Sequence, residues 1–315
     1  MKRTRLTVLA CATALPIGTT HADTFGTGAN TFTIDFVTIG NPGNGDDAGA
    51  GGGIYSQPFG GVSYVYRMGV TEVPQDWIDK ATNLGLANVT ALPWTGNQPA
   101  GSMTWYEAAA FVNWLNASTG HQAAYNLNYN GGWSMNLWDS PRAWQLGGEN
   151  RYRNKDAYYF LPSDDEWYKA AYHQNDGVTA NYWDYATGSN TIPTAVMSGT
   201  GAGTAVYNHQ NGFPAAVDNN GGLSAYGTRG QNGNVLEWQE SAADGVNSGS
   251  FEDRATRGGD WTSFEIQLSL PWSRIGRAPS FDPTSMGFRV ASVPEPGSAL
   301  LFAASAFPLL LRRRR

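Results

Sequence analysis

Only two stretches of this chain announce a helix, and both do so with the same device. In "MTWYEAAAFVNWLN", Thr104 and Glu107 have capping-box spacing, and Ala108, Phe111, Val112 and Leu115 make an apolar stripe. In "LPSDDEWYKAAYHQ", Ser163 and Glu166 repeat the device, with Trp167, Ala170 and Ala171 directed inward. Both helices are short, and what lies between and after them is dominated by Gly, Asn, Asp and Tyr. The alternation in "GGVSYVYRMGVTEV" adds a strand with Val62, Tyr64 and Tyr66 on one face. A chain with so few regular elements must be held together by its side chains. Here these are aromatic: 12 Trp, 15 Tyr and 13 Phe accompany 39 Gly, and only 15% of residues are charged. Such an aromatic content is the opposite of a disordered signature. The chain is long enough to bury a sizeable core, and no linker interrupts it between Thr31 and Ser292, so one loop-rich domain is expected over 31–292.

The two ends carry a different message. Residues 1–22, "MKRTRLTVLACATALPIGTTHA", give a positive n-region, a short apolar run and a small residue at Ala22, the anatomy of a cleaved secretory signal. A rival reading, lipid attachment at Cys11, has only a very short apolar run before it. Cys11 is the sole cysteine, so cleavage after Ala22 leaves a mature protein without disulfides, thiolate metal sites or thiol nucleophiles. Residues 293–315 end in an apolar run, Ala299 to Leu311, that is short for a membrane span and interrupted by Pro308; four arginines follow it. The order Pro294, Glu295, Pro296, apolar segment, basic end resembles the PEP-CTERM sorting signal of exported bacterial proteins. That resemblance implies an exosortase-type processing partner, transient membrane association, and a destination in the cell envelope or extracellular matrix. Net charge is −6 for the whole chain; without leader and tail it is roughly −12, which makes nucleic acid a poor partner.

Four ordered segments carry a second resemblance. "EVPQDW" from Glu72, "MTWYEAAAFVNWLN", "LPSDDEWYKAAY", and "NGNVLEW" with "RGGDW…GFRV" are similar to the landmarks of the formylglycine-generating enzyme, or sulfatase-modifying-factor, family. The resemblance covers roughly residues 34 to 291 and implies an α+β, loop-rich variant of the C-type-lectin fold. In the catalytic members, two cysteines between the Arg-Gly-Gly and Gly-Phe-Arg landmarks bind copper and oxidise a substrate cysteine. Between Trp261 and Gly287 this chain has none, and copper(I) favours soft thiolates, so no copper is expected. Leu236 also stands in place of a family tryptophan that borders the catalytic cleft. His121, His173 and His209 are scattered and read as satisfied polar residues, and Asp164 and Asp165 as acids at a helix N-terminus. Glu107 and Glu166 read as capping residues.

Calcium is the metal that the resemblance leaves open. The family's glutamate loop maps onto Gly233 and Val235, through their carbonyls, and onto Glu237; Gly230 replaces an upstream Asn or Asp ligand. A second site maps loosely onto Asn211 and Phe213, the latter through its carbonyl. The competing reading, that Glu237 only bonds backbone in a tight loop, stands beside it. Arg257, Gly258, Gly259 and Arg289 read as architectural, and Trp238 and Trp261 as core.

An exported surface module with a domain of this family is therefore expected, binding an extracellular ligand such as a glycan or protein without catalysis. The alternative is a cysteine-independent, oxidoreductase-like enzyme of the same family. A lectin-like sugar binder is a special case resting on fold analogy. The ligand is expected to meet the segment between Trp261 and Gly287, through Trp272 as an apolar contact, Arg274 and Arg277 as donors and Ser273 as a small polar neighbour. The alternative here is that the two arginines pair with the domain's acids and Trp272 fills the core.

Overall fold

The protein is described by a computed structural model covering residues 21–48, 57–264 and 274–293. β1 (His21–Phe25) and β2 (Phe32–Ile39) pair as an antiparallel hairpin, and β3 (Tyr66–Gly69) adds to β2. After α1 (Gln75–Asn83) and α2 (Trp105–Ser118) come two small antiparallel pairs, β4 (Asn126–Tyr129) with β5 (Trp133–Asn136) and β6 (Ala143–Trp144) with β7 (Asn150–Asn154). β8 (Tyr159–Phe160) leads into α3 (Asp164–Tyr172), and β9 (Thr194–Ala195) pairs in parallel with β10 (Thr204–Ala205). β11 (Leu236–Ala242), β12 (Arg254–Arg257), β13 (Ile275–Arg277) and β14 (Met286–Gly287) form a four-stranded sheet in the order β13-β12-β11-β14. β15 (Ala291–Ser292) returns between β3 and β8, closing a five-stranded sheet ordered β1-β2-β3-β15-β8.

Both capping boxes form. Thr104 Oγ1 accepts from the Glu107 N–H at 3.1 Å, and the Thr104 N–H donates to Glu107 Oε2 at 2.9 Å. Ser163 and Glu166 exchange the same pair of bonds at 3.2 and 2.6 Å. Two otherwise orphaned donors are satisfied at each helix start, which fixes where these short helices begin. α2 then buries Trp105, Phe111 and Leu115 in the main core with Phe36, Trp238 and Phe288. α1 has no side-chain cap, because Pro74 stands at its N-cap, and so carries no capping motif in the sequence.

The strand expected from Val62 to Tyr66 is shorter and later than its alternation suggests. β3 begins at Tyr66, and all four of its residues are buried, because it lies inside the sheet between β2 and β15. Arg67 is tolerated there by an ion pair with Asp23 at 2.6 Å and by the Phe36 ring 4.6 Å from its guanidinium. The packed fold also begins ahead of Thr31, since Phe25 of β1 is in the core, and it runs to Val293, whose N–H bonds the Tyr158 carbonyl. The bond after Ala22, where leader cleavage is expected, falls within β1. Residues 1–20 and 294–315, with most of the leader and the whole sorting motif, lie outside the described residues.

Candidate functional site

The four-stranded sheet has two faces, and strand alternation sorts its side chains between them. Glu237 lies opposite Arg257, whereas Trp238 lies opposite Thr256, and Arg254 opposite Arg277. The face carrying Glu237 and Arg257 meets α3 and is closed by charge. Arg289 grips Glu237 with two bonds of 2.6 Å, and Trp167 Nε1 donates to the same carboxylate at 2.8 Å. The remaining Arg289 donors reach the carbonyls of Gly69, Val70 and Arg229. Asp164, at the start of α3, bridges Arg257 and Arg274, and Arg274 also donates to the Ala243 carbonyl at 2.6 Å. Burial pushes the Asp164 carboxyl up, but the two guanidiniums outweigh it and hold it below the usual carboxylate range. Nearby, Arg153 joins Glu166 at 2.8 Å and Glu240 at 2.9 Å beneath the surface.

Sequence expectation is corrected at several of these positions. Asp164 is a counter-ion to two arginines rather than a simple helix-terminus acid, and Glu166 adds an ion pair to its capping role. Arg274 is buried and engaged, so it is not a free ligand donor; the alternative reading of it, pairing with an acid, is the one observed. Trp272 and Ser273 lie outside the described residues. Arg257, Arg289 and Trp238 are architectural as expected, with Trp238 Nε1 bonded to the Met103 carbonyl at 2.8 Å. His173 is buried against the Tyr226 hydroxyl at 2.9 Å.

Within the donor set expected for calcium, the Glu237 carboxylate is already engaged. Three donors from Arg289 and Trp167 already fill most of the Glu237 carboxylate, and a cation there would sit against a guanidinium. The Gly233 N–H donates to the Gly258 carbonyl at 2.7 Å, and Val235 is buried with Trp261. Phe213 is exposed, and the Asn211 side chain accepts from the Gly212 N–H next to it. Among the described residues no group of three His, Cys, Asp or Glu is placed to hold a metal. In the place of Gly230 the structure puts another acid: a Cβ on Gly230 would lie 2.4 Å from Glu72 Oε1. Glu72 is itself fully buried, accepts from Asn220 at 2.7 Å and Asn234 at 3.0 Å, and is pushed up to about 7 by burial and by Glu237.

The opposite face carries Trp238 into the main core and, toward β13, borders a cavity. This cavity, of about 200 Å³, is lined by Leu236, Asp260, Thr262, Ser263, Ile275, Arg277 and Phe281, with Pro283 and Ser285. Asp260 Oδ1 accepts from the Thr262 N–H, the Thr262 hydroxyl and the Ser263 hydroxyl, which folds the turn at its rim. Trp261 is buried behind that turn, edge-on to Trp94 at 5.3 Å, and Phe264 is exposed beside His209. Arg277 is half-buried with its guanidinium 5.0 Å from the Phe281 ring centre. Of the two expected ligand residues that the structure describes, Arg277 lines this cavity and Arg274 does not. Asp260, Thr262, Ser263 and Phe281, which also line it, carry no signal in the sequence beyond their position between the Arg-Gly-Gly and Gly-Phe-Arg landmarks.

Comparison with known proteins bears on this arrangement. Residues 67–293 match the family model of the sulfatase-modifying factor enzyme 1-like domain. No curated protein matches the chain. Among solved structures, variable protein 1 of Treponema denticola is similar with a TM-score of 0.57 and 21% identity, covering 87% of this chain and 99% of that one. A crystal structure of CarF gives 0.55 and 19%, covering 83% and 99%. PvdO from Pseudomonas aeruginosa gives 0.54 and 16%, covering 89% and 100%. The fold is thus the α+β, loop-rich, formylglycine-generating-enzyme-like variant of the C-type-lectin fold.

Proposed function

The chain belongs to the sulfatase-modifying factor enzyme 1-like family, and from that premise we propose that it is an exported, envelope-associated surface module that binds a ligand in the open cleft without the family's copper chemistry. The observation that carries this reading is the lining of the cavity. It combines apolar walls from Leu236, Ile275 and Phe281 with the hydroxyls of Thr262 and Ser263 and one guanidinium, a mixture suited to holding a ligand by contact and hydrogen bonds. The chain's one cysteine, Cys11, lies in the expected leader, far in sequence from the segment where the catalytic relatives carry theirs. The groups that burial moves close to neutrality, Glu72, Asp165 and Lys169, are all outside the cavity lining, whereas acid–base catalysis would call for such groups within it. Export rests on the leader and on the PEP-CTERM-like tail, which imply exosortase-type processing and release from the membrane.

The test is a glycan and peptide array probed with the exported chain, followed by Ser263→Trp, which fills the cavity. Loss of array binding by the folded variant is expected; because Ser263 also bonds Asp260, Ile275→Trp, which fills the cavity from the strand side, is the second variant. Binding that survives a filled cavity would remove the cleft from the reading. Conversion of a sulfatase-motif cysteine to an aldehyde above a no-enzyme control would restore the enzyme.

A further inference from the structure

β12 and β13 place two arginines directly opposite each other. Arg254 pairs in register with Arg277, so both side chains leave the sheet on the same face, the one that carries the cavity. Directly opposed residues have Cβ atoms about 4.5–5.5 Å apart, and like charges so placed repel. The other fully buried arginines each hold a carboxylate: Arg67 has Asp23, Arg153 has Glu166 and Glu240, Arg257 has Asp164, and Arg289 has Glu237. Arg254 is equally buried yet has no acidic partner among the described residues. Its Nε and Nη1 find no acceptor, and its Nη2 reaches the Met135 sulfur at 3.9 Å, with the uncharged Tyr152 side chain beside it. The guanidinium is clamped between the Trp105 ring at 4.4 Å and the Tyr152 ring at 3.8 Å, which fixes its position without neutralising it. Arg277, at the cavity wall, likewise has a buried Nε without a partner. Of the acids nearby in sequence, Glu252 accepts from Tyr152 and Ser248, Asp260 accepts from Thr262 and Ser263, and Asp253 and Asp282 are exposed.

We propose that Arg254 and Arg277 form an anion site at the cleft and that the cleft's ligand presents a carboxylate to it. This rests on the reading of the cleft as a binding site. Arg277 makes the contact, with a planar donor edge that matches a carboxylate, and Arg254 adds fixed positive charge from beneath in a poorly screened interior. A single negative charge fits better than a phosphate dianion, because Asp260 lines the same cavity. The apolar walls and the hydroxyls take the rest of the ligand, which makes a uronic acid or an acidic amino acid the fitting class.

Calorimetric titration of the full chain with sodium glucuronate and with N-acetylglutamate separates these two sources, with N-acetylglutamine and inorganic phosphate as controls. Saturable binding of one carboxylate is expected, weakened by about tenfold or more in Arg277→Gln, the loss of a charge-assisted hydrogen bond. Arg254→Met should weaken it as well; if that variant fails to fold, Arg277→Gln still decides. No saturable carboxylate binding, equal binding by Arg277→Gln or by N-acetylglutamine, or tighter binding of phosphate overturns the proposal. An array ligand lost in Ser263→Trp but kept in Arg277→Gln sinks the anion site and leaves the cleft reading standing. An array ligand kept in Ser263→Trp removes the cleft reading and the anion site with it.

Discussion

Arg254 and Arg257 open and close the same four-residue strand and are both fully buried, yet they have opposite surroundings. Arg257 faces α3 and meets Asp164; Arg254 faces the cleft side and meets two aromatic rings and a sulfur. One face of the sheet is therefore a charge-paired network that joins strands, helix and loops, and the other keeps positive charge with no counter-ion among the described residues. A fold with few ladders uses guanidiniums as cross-braces where carboxylates meet them, because each has five donors to distribute among irregular backbone. The same residue type on the other face has no acid to brace among the described residues.

The largest effect that separates the faces is expected from Asp164→Asn. Removing the shared carboxylate strands two buried guanidiniums, and breaking a buried pair in this way costs about 3–5 kcal/mol. Urea denaturation measures it; a loss below about 1 kcal/mol, the scale of an exposed pair, would erase the contrast between the faces.

Next in size is a pH effect on the α3 side, where Lys169 is the exception. Its ammonium is fully buried, bonds only the Asn41 carbonyl at 2.9 Å, and is lowered to about 7 by burial. In the unfolded chain a lysine titrates at about 10.4. Below pH 7 both states are protonated and the full penalty stands. Between pH 7 and about 10 the unfolded chain holds a proton that the folded one has released, so stability rises with pH over that window. Melting temperatures from pH 7 to 9.5 should climb in the parent and stay flat in Lys169→Met. A parallel climb in the variant would assign the effect elsewhere.

Arg254→Met gives a smaller effect of opposite sign to Asp164→Asn. Replacing an uncompensated buried charge with an apolar chain of similar reach should leave stability within about 1 kcal/mol of the parent or raise it. A loss matching that of Asp164→Asn would mean that the two aromatic contacts hold Arg254 as firmly as a carboxylate holds Arg257. Smallest of all is calcium: with Glu237 held by Arg289 and Trp167, millimolar calcium should leave the melting temperature unchanged. An increase that disappears in Glu237→Gln would show that the ion displaces that pair.

By itself the sequence determined the starts of α2 and α3, because a capping box is a contact between residues three apart and needs no partner from elsewhere. It also determined the aromatic core, the loop-rich family fold and the absence of cysteine beyond Cys11. α1 carries no capping signal because Pro74 starts it without a side-chain bond, and β3 departs from the alternation of its sequence because it is buried on both faces. Only tertiary structure decided which arginine braces the fold and which faces the cleft. Arg274 and Arg277 read alike along the chain, as do Arg254 and Arg257. Their surroundings differ because strand pairing sends alternate side chains to opposite faces, and because α3 brings Asp164 from more than a hundred positions before Arg274 to one of those faces only.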